Sequence, residues 1–109
     1  MKKILVLSAI VLLTGCGGSK IQLNNGTGME LETVTLTIEE NSETWHNIAP
    51  DKTFGSDMAF PQGAASILLE WEANGQQWSM EYAAIDSASY AERVSIFFAS
   101  DEMSVNYSF

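Results

Sequence analysis

The chain is poor in the residues on which catalytic and metal sites depend. Its 109 residues include one Cys, one His and two Pro, and five basic residues stand against 14 acidic ones. One Cys cannot form an intramolecular disulfide, and together with one His it is too little for a His/Cys zinc site or an iron–sulfur cluster. The formal net charge of −9 argues against a nucleic-acid-binding protein, because such a protein needs Lys and Arg to neutralise phosphates.

What the chain does contain is apolar side chains. Hydrophobic residues make up 46% of the sequence and aromatic residues 10%, which is too apolar for a disordered acidic tail. The length allows one domain. Composition therefore predicts a small, acidic, globular domain.

The N-terminal segment differs in composition from the rest. Basic residues at positions 2 and 3 precede an uncharged apolar run over residues 4–13, and Thr14 and Gly15 then precede Cys16. A helix of about ten residues spans about 15 Å, roughly half of the hydrocarbon core of a bilayer. The segment therefore favours a secretory signal peptide over a membrane-spanning helix or a buried core helix.

The sequence Leu13-Thr14-Gly15-Cys16 resembles the lipobox of bacterial lipoprotein precursors. The resemblance covers residues 1–16 and implies cleavage before Cys16, a diacylglyceryl group on its sulfur and acylation of the new amino terminus. The covalent lipid on Cys16 is then the only prosthetic group expected, and no thiol is left for catalysis. Gly17 stands where an Asp would resemble the inner-membrane retention signal of enteric bacteria. This implies the periplasmic face of the outer membrane if the source has two membranes.

Three segments follow from this interpretation: a signal peptide over residues 1–15, a lipidated Cys with a short tether over residues 16–20, and a domain over residues 21–109. Residues 17–20 span at most about 14 Å when extended, so the domain is expected close to the lipid headgroups. Without the signal peptide, three basic residues oppose all 14 acidic ones. An anionic surface would repel this charge within a Debye length of about 8 Å.

From Ile21 onward the apolar residues alternate with polar ones, as β-strands require. Asn74-Gly75 is the preferred dipeptide of a type I′ hairpin and places Trp71 opposite Trp78. A second hairpin, centred on residues 100–101, places Phe98 opposite Met103. Each register collects apolar side chains on one face, which supports both hairpins.

About seven or eight short strands without a long amphipathic helix predict a small antiparallel β-sandwich, immunoglobulin-like or transthyretin-like, with a small β-barrel as the alternative. The apolar phase of residues 29–40 changes from odd to even positions, which predicts a β-bulge near Glu32 and Thr33. Residues 85–92 lack a strand period, and either one helical turn or a plain loop is expected there.

Candidate catalytic and metal-binding residues are few. His46 beside Trp45 suggests a base next to an aromatic platform, but an ordinary, partly exposed strand histidine is the preferred interpretation. No Gly-x-Ser-x-Gly motif is present. Carboxylates pair at three places, namely Glu39 with Glu40, Glu70 with Glu72, and Asp101 with Glu102. Solvated strand faces and turns account for them, so neither enzymatic activity nor a catalytic, cofactor-binding or metal site is predicted.

Three apolar residues form the candidate patch for a protein partner. Leu68 and Phe97 fall on predicted outer faces, and the face of Trp45 is left open. The expected function is that of a non-enzymatic, lipid-anchored envelope protein that binds or organises a protein partner near the membrane. The alternative is a periplasmic module for a small ligand, a sugar or Ca²⁺, using Trp45, His46 or the acidic turns.

Overall fold

Two four-stranded β-sheets form the fold, in a computed structural model that describes residues 20–58, residue 60 and residues 66–109. The predicted signal peptide, Cys16 and residues 17–19 of the tether lie outside the described residues. The described residues contain eight strands, with one 3₁₀ helix, Asp86–Tyr90, before the seventh. The strands are β1 (Ile21–Asn25), β2 (Leu31–Ile38), β3 (Asn41–Ile48), β4 (Thr53–Ser56), β5 (Ser66–Ala73), β6 (Gln76–Ala83), β7 (Arg93–Ala99) and β8 (Glu102–Ser108).

The strand order is β4-β1-β7-β8 in sheet I and β3-β2-β5-β6 in sheet II. The predicted β-sandwich is confirmed, and the sheets do not close into the barrel that was the alternative. One pair corrects the antiparallel expectation, since β1 runs parallel to β7 with Ile21 opposite Val94. A constant-type immunoglobulin sandwich would put β1, β2, β5 and β4 in one sheet and β3, β6 and β7 in the other. The observed order differs from that type.

Both predicted hairpin registers are confirmed. Trp71 pairs with Trp78 across β5 and β6, and Phe98 pairs with Met103 across β7 and β8. At the tip of the first hairpin, Asn74 and Gly75 have φ angles of 54° and 76°. A type I′ turn needs positive φ at both positions, which is why this dipeptide fixes the register.

The change of face in β2 occurs where it was predicted, but without a bulge. Leu31 pairs with Ile48 and Thr33 pairs with His46, so Glu32 and Asn47 both drop out of the ladder and neither strand gains a residue. Asn47 has a φ of 57°, in the left-handed region that Asn tolerates better than most residues. Because the two unpaired residues lie opposite each other, the side chains of β2 and β3 switch faces of the sheet at the same point.

The β2–β3 turn is Glu39-Glu40, and β4 ends at Ser56. The helical alternative for residues 85–92 is confirmed as the 3₁₀ helix. Its N-cap residue, Ile85, makes no side-chain capping hydrogen bond.

The core lies between the inner faces of the two sheets and is crossed by a belt of aromatic rings. Trp78 stacks on Trp71 at 6.3 Å, and Trp71 contacts Phe98 at 4.9 Å. Phe98 meets Phe54 at 6.4 Å, and Phe54 meets Trp45 edge-on at 5.0 Å. Because the belt crosses from one sheet to the other twice, it ties them together across the width of the sandwich.

Candidate partner-binding surfaces

The predicted patch is not assembled into one surface. Leu68 lies half-buried on the outer face of sheet II, whereas Phe97 lies 38% exposed on the outer face of sheet I. Trp45 lies on the inner side, half-buried against the core and in edge contact with Phe54. The outer faces of a sandwich point in opposite directions, so Leu68 and Phe97 cannot contact the same flat partner surface.

Phe97 has a packing role at the β1–β2 connection. A Cβ built on Gly26 would lie 2.2 Å from Cζ of Phe97, so the ring lies directly on the backbone of this glycine. The exposed edge of Phe97 is therefore one side of a ring that covers a loop.

The outer face of sheet II is polar. His46, Thr33, Glu72 and Gln77 form one row across four strands. A neighbouring row consists of Thr44, Thr35, Glu70 and Ser79, in which the hydroxyls of Thr35 and Thr44 are 2.9 Å apart.

An open groove of about 410 Å³ lies over part of these rows, and it is lined by Thr33, Thr35, Glu70, Glu72, Gln77 and Ser79 together with Trp71 and Trp78. Thr33 separates His46 from Glu72, which puts these two strands about 10 Å apart. The row therefore contains acceptors for a polar ligand, with Thr33 between the imidazole and the carboxylate.

Two of the acidic residues have structural partners. Oε1 of Glu43 accepts a 2.6 Å hydrogen bond from Oγ of Ser56, and Oε2 of Glu39 accepts one of 3.0 Å from the backbone N–H of Ser66. Over the described ranges, no group of three or more His, Cys, Asp or Glu residues is placed to hold a metal ion.

The two lateral sides of the sandwich differ. On one side, the Glu43–Ser56 hydrogen bond and the contact of Trp45 with Phe54 join edge strand β3 to edge strand β4. On the other side, edge strands β6 and β8 leave apolar side chains of the inner faces only partly covered. These side chains, which we call the open side, are Trp78, Met80, Tyr82, Met103, Val105 and Tyr107.

The backbones of β6 and β8 also lack the features that usually protect edge strands. Among the described residues, each strand has hydrogen-bonded neighbours on one side only. Each contains a single charged residue, Glu81 in β6 and Glu102 in β8, and neither contains Lys or Pro. An edge of seven or eight residues with so little protection is suited to pairing with another strand.

Sequence reasoning placed the apolar residues of β6 and β8 on inner faces but missed their exposure. A hairpin register tells which side chains face inward, and it does not tell which strands end a sheet. The low charge of the two strands was the available signal.

No protein family, curated protein or solved structure matches this chain. In the part of the chain that the structure describes, no helix has both the length and the apolar character needed to cross a bilayer. The functional interpretation therefore rests on the residues and surfaces described above.

Proposed function

We propose that this chain is a lipid-anchored envelope protein without enzymatic activity, which binds a protein partner near the membrane through its open side. The observation that carries the proposal is the half-exposed apolar row along two weakly charged edge strands. An extended partner segment that pairs with β6 or β8 would satisfy the edge backbone and cover side chains such as Met80 and Val105.

The lipid anchor is proposed from the lipobox-like sequence before Cys16. Each CH₂ of an acyl chain adds about 0.8 kcal/mol of membrane affinity, so two or three chains hold the domain on the bilayer. We expect Cys16→Ser to abolish acylation, seen by mass spectrometry, and to move the protein to the soluble fraction. Ser19→Ala is the matched control and should leave both unchanged. Tight membrane binding of Cys16→Ser would contradict the anchor.

The partner surface is tested by photo-crosslinking in native envelopes. A crosslinking amino acid at Met80 or Val105 is expected to give an adduct of one discrete mass, whereas the same group at Leu68 or Phe97 is not. Adducts from position 68 or 97 alone would show that the partner binds an outer face of the sandwich and not the open side. Absence of adducts at all four positions, across growth conditions, would contradict protein binding as the function.

A second candidate function is a module for a small polar ligand, and the groove above Glu70 and Glu72 is the observation that favours it. Calorimetric titration with Ca²⁺ and with a panel of sugars tests this candidate. Saturable heat that is lost in the Glu70→Gln, Glu72→Gln double variant would support it. Heat that persists in that variant would place the ligand elsewhere.

A further inference from the structure

Exposed apolar side chains collect at one end of the sandwich. Of the five large hydrophobic residues exposed in the described part of the chain, four lie at the end where β1 begins and β8 finishes. Tyr90 is 69% exposed, Phe109 66%, Ile85 43% and Tyr82 38%. The fifth, Phe97, lies on the outer face of sheet I, above the β1–β2 connection.

The chain enters the domain within this cluster. Nζ of Lys20 donates a 2.9 Å hydrogen bond to the carbonyl of Ser89, the residue before Tyr90. The carbonyl of Lys20 accepts one of 2.8 Å from the N–H of Val94. Lys20 is therefore held by hydrogen bonds to the 3₁₀ helix on one side and to the start of β7 on the other.

Ile85 and Phe109 are linked to each other at this end of the sandwich through Tyr107. The N–H of Ile85 donates to Oη of Tyr107 at 3.3 Å, and the rings of Tyr107 and Phe109 are 6.4 Å apart. We call the surface formed by Lys20, Ile85, Tyr90 and Phe109 the tether end.

We infer that the tether end rests in the headgroup region of the bilayer, with Ile85, Tyr90 and Phe109 in contact with lipid. The inference rests on the proposed acylation of Cys16. Residues 17–20 reach at most about 14 Å, so the acylated Cys keeps Lys20, and with it the neighbouring Tyr90, close to the membrane. Aromatic side chains with a polar atom are favoured at this depth, because the ring is apolar and the hydroxyl stays hydrated.

Acidic residues near the tether end affect how closely it approaches an anionic membrane. Four carboxylates are exposed at the same end, namely Asp57, Glu92 and the two of the β2–β3 turn, Glu39 and Glu40. Anionic headgroups repel these carboxylates over a Debye length of about 8 Å in physiological salt. The apolar contact is therefore closer on zwitterionic lipid than on a strongly anionic surface, and added salt reduces the difference.

The orientation also has a consequence for the open side. Strands β6 and β8 run between the tether end and the end that carries Asn74 and Gly75. With the tether end on the membrane, both edges face sideways, parallel to the bilayer plane. A partner held in the same membrane can reach them.

The test uses single cysteines in the full, acylated chain. Because Cys16 is the only native Cys, a nitroxide label on Tyr90→Cys or Phe109→Cys is the only label present once Cys16 carries lipid. Asn74→Cys, at the opposite end, is the matched control. In phosphatidylcholine vesicles, we expect the ratio of oxygen to aqueous nickel-complex accessibility to be at least about threefold higher at positions 90 and 109 than at position 74.

Two outcomes would overturn the inference, and mass spectrometry of the same samples separates them. Equal accessibility ratios at positions 90, 109 and 74 in protein that is acylated on Cys16 would overturn the membrane orientation and leave the anchor intact. Protein without lipid on Cys16 would overturn the proposed anchor and, with it, this inference. A ratio at position 90 that falls in vesicles containing phosphatidylglycerol, and recovers in salt, would support the role given to the carboxylates at this end.

Discussion

Substitution of Asn25 is the sharpest test of how the loops at the far end of the sandwich are held. Asn25 is the last residue of β1 and is fully buried. Its Nδ2 donates to the carbonyls of Met29 at 2.8 Å and Ala49 at 3.0 Å, with a longer contact of 3.4 Å to the carbonyl of Ile48. Its Oδ1 accepts from the N–H of Thr27 at 3.0 Å and from the hydroxyl of Thr27 at 2.6 Å. One side chain therefore joins the β1–β2 loop to the β3–β4 loop.

The magnitude follows from these four short hydrogen bonds. A net contribution of about 0.5–1.5 kcal/mol for each bond predicts that Asn25→Ala lowers the free energy of unfolding by about 2–4 kcal/mol, since water can reach part of the loop. For a domain of this size, that loss lowers Tm by roughly 10–25 °C. The assay is urea unfolding and thermal unfolding followed by tryptophan fluorescence.

The neighbouring Asn24 is the matched control. Its Nδ2 donates to Oγ1 of Thr53 at 3.0 Å and to the carbonyl of Asp51 at 3.3 Å, both in an exposed setting. Asn24→Ala should cost less than about 1 kcal/mol. Asn25→Asp keeps the acceptor for Thr27 but turns an oxygen toward the carbonyls, so it should be as harmful as Asn25→Ala. Equal losses for Asn24→Ala and Asn25→Ala would refute the reasoning.

Two further predictions concern packing. Gly26→Ala should cost about 1–3 kcal/mol, because its Cβ would overlap the ring of Phe97, and a double-mutant cycle with Phe97→Ala should recover most of that loss. Equal costs in both backgrounds would show that the ring is not the cause. Trp71→Ala should cost about 3–5 kcal/mol, since it removes a buried ring of the aromatic belt, and should abolish the near-ultraviolet circular dichroism of the stacked Trp71–Trp78 pair. A retained signal would place its origin elsewhere in the belt.

The hairpins were predictable because local chemistry fixes them. Asn74 and Gly75 tolerate the positive φ angles of a type I′ turn, and that turn leaves one register for the flanking strands. Once the register is set, the faces of Trp71 and Trp78 follow from the alternation of side chains along a strand.

The pairing of distant strands was not predictable in the same way. The parallel contact of β1 with β7 joins Ile21 to Val94, and nothing in either segment selects the other as a partner. The face of Trp45 could not be assigned from sequence for a related reason. Its face depends on the left-handed Asn47 and the matched loss of pairing at Glu32, which turn both strands over together.

The features that define the candidate surfaces were likewise partly set by local sequence and partly set by contacts between distant residues. The sequence by itself determined the strand periods, the two hairpin turns, the acidic balance and the lipobox-like segment before Cys16, because each depends on neighbouring residues or on composition. Only the tertiary structure decided that β6 and β8 are edges on one side, and that Lys20 meets Ser89 beside Tyr90. Those contacts join residues far apart in the chain, and their formation depends on how the two sheets pack and which strands end them.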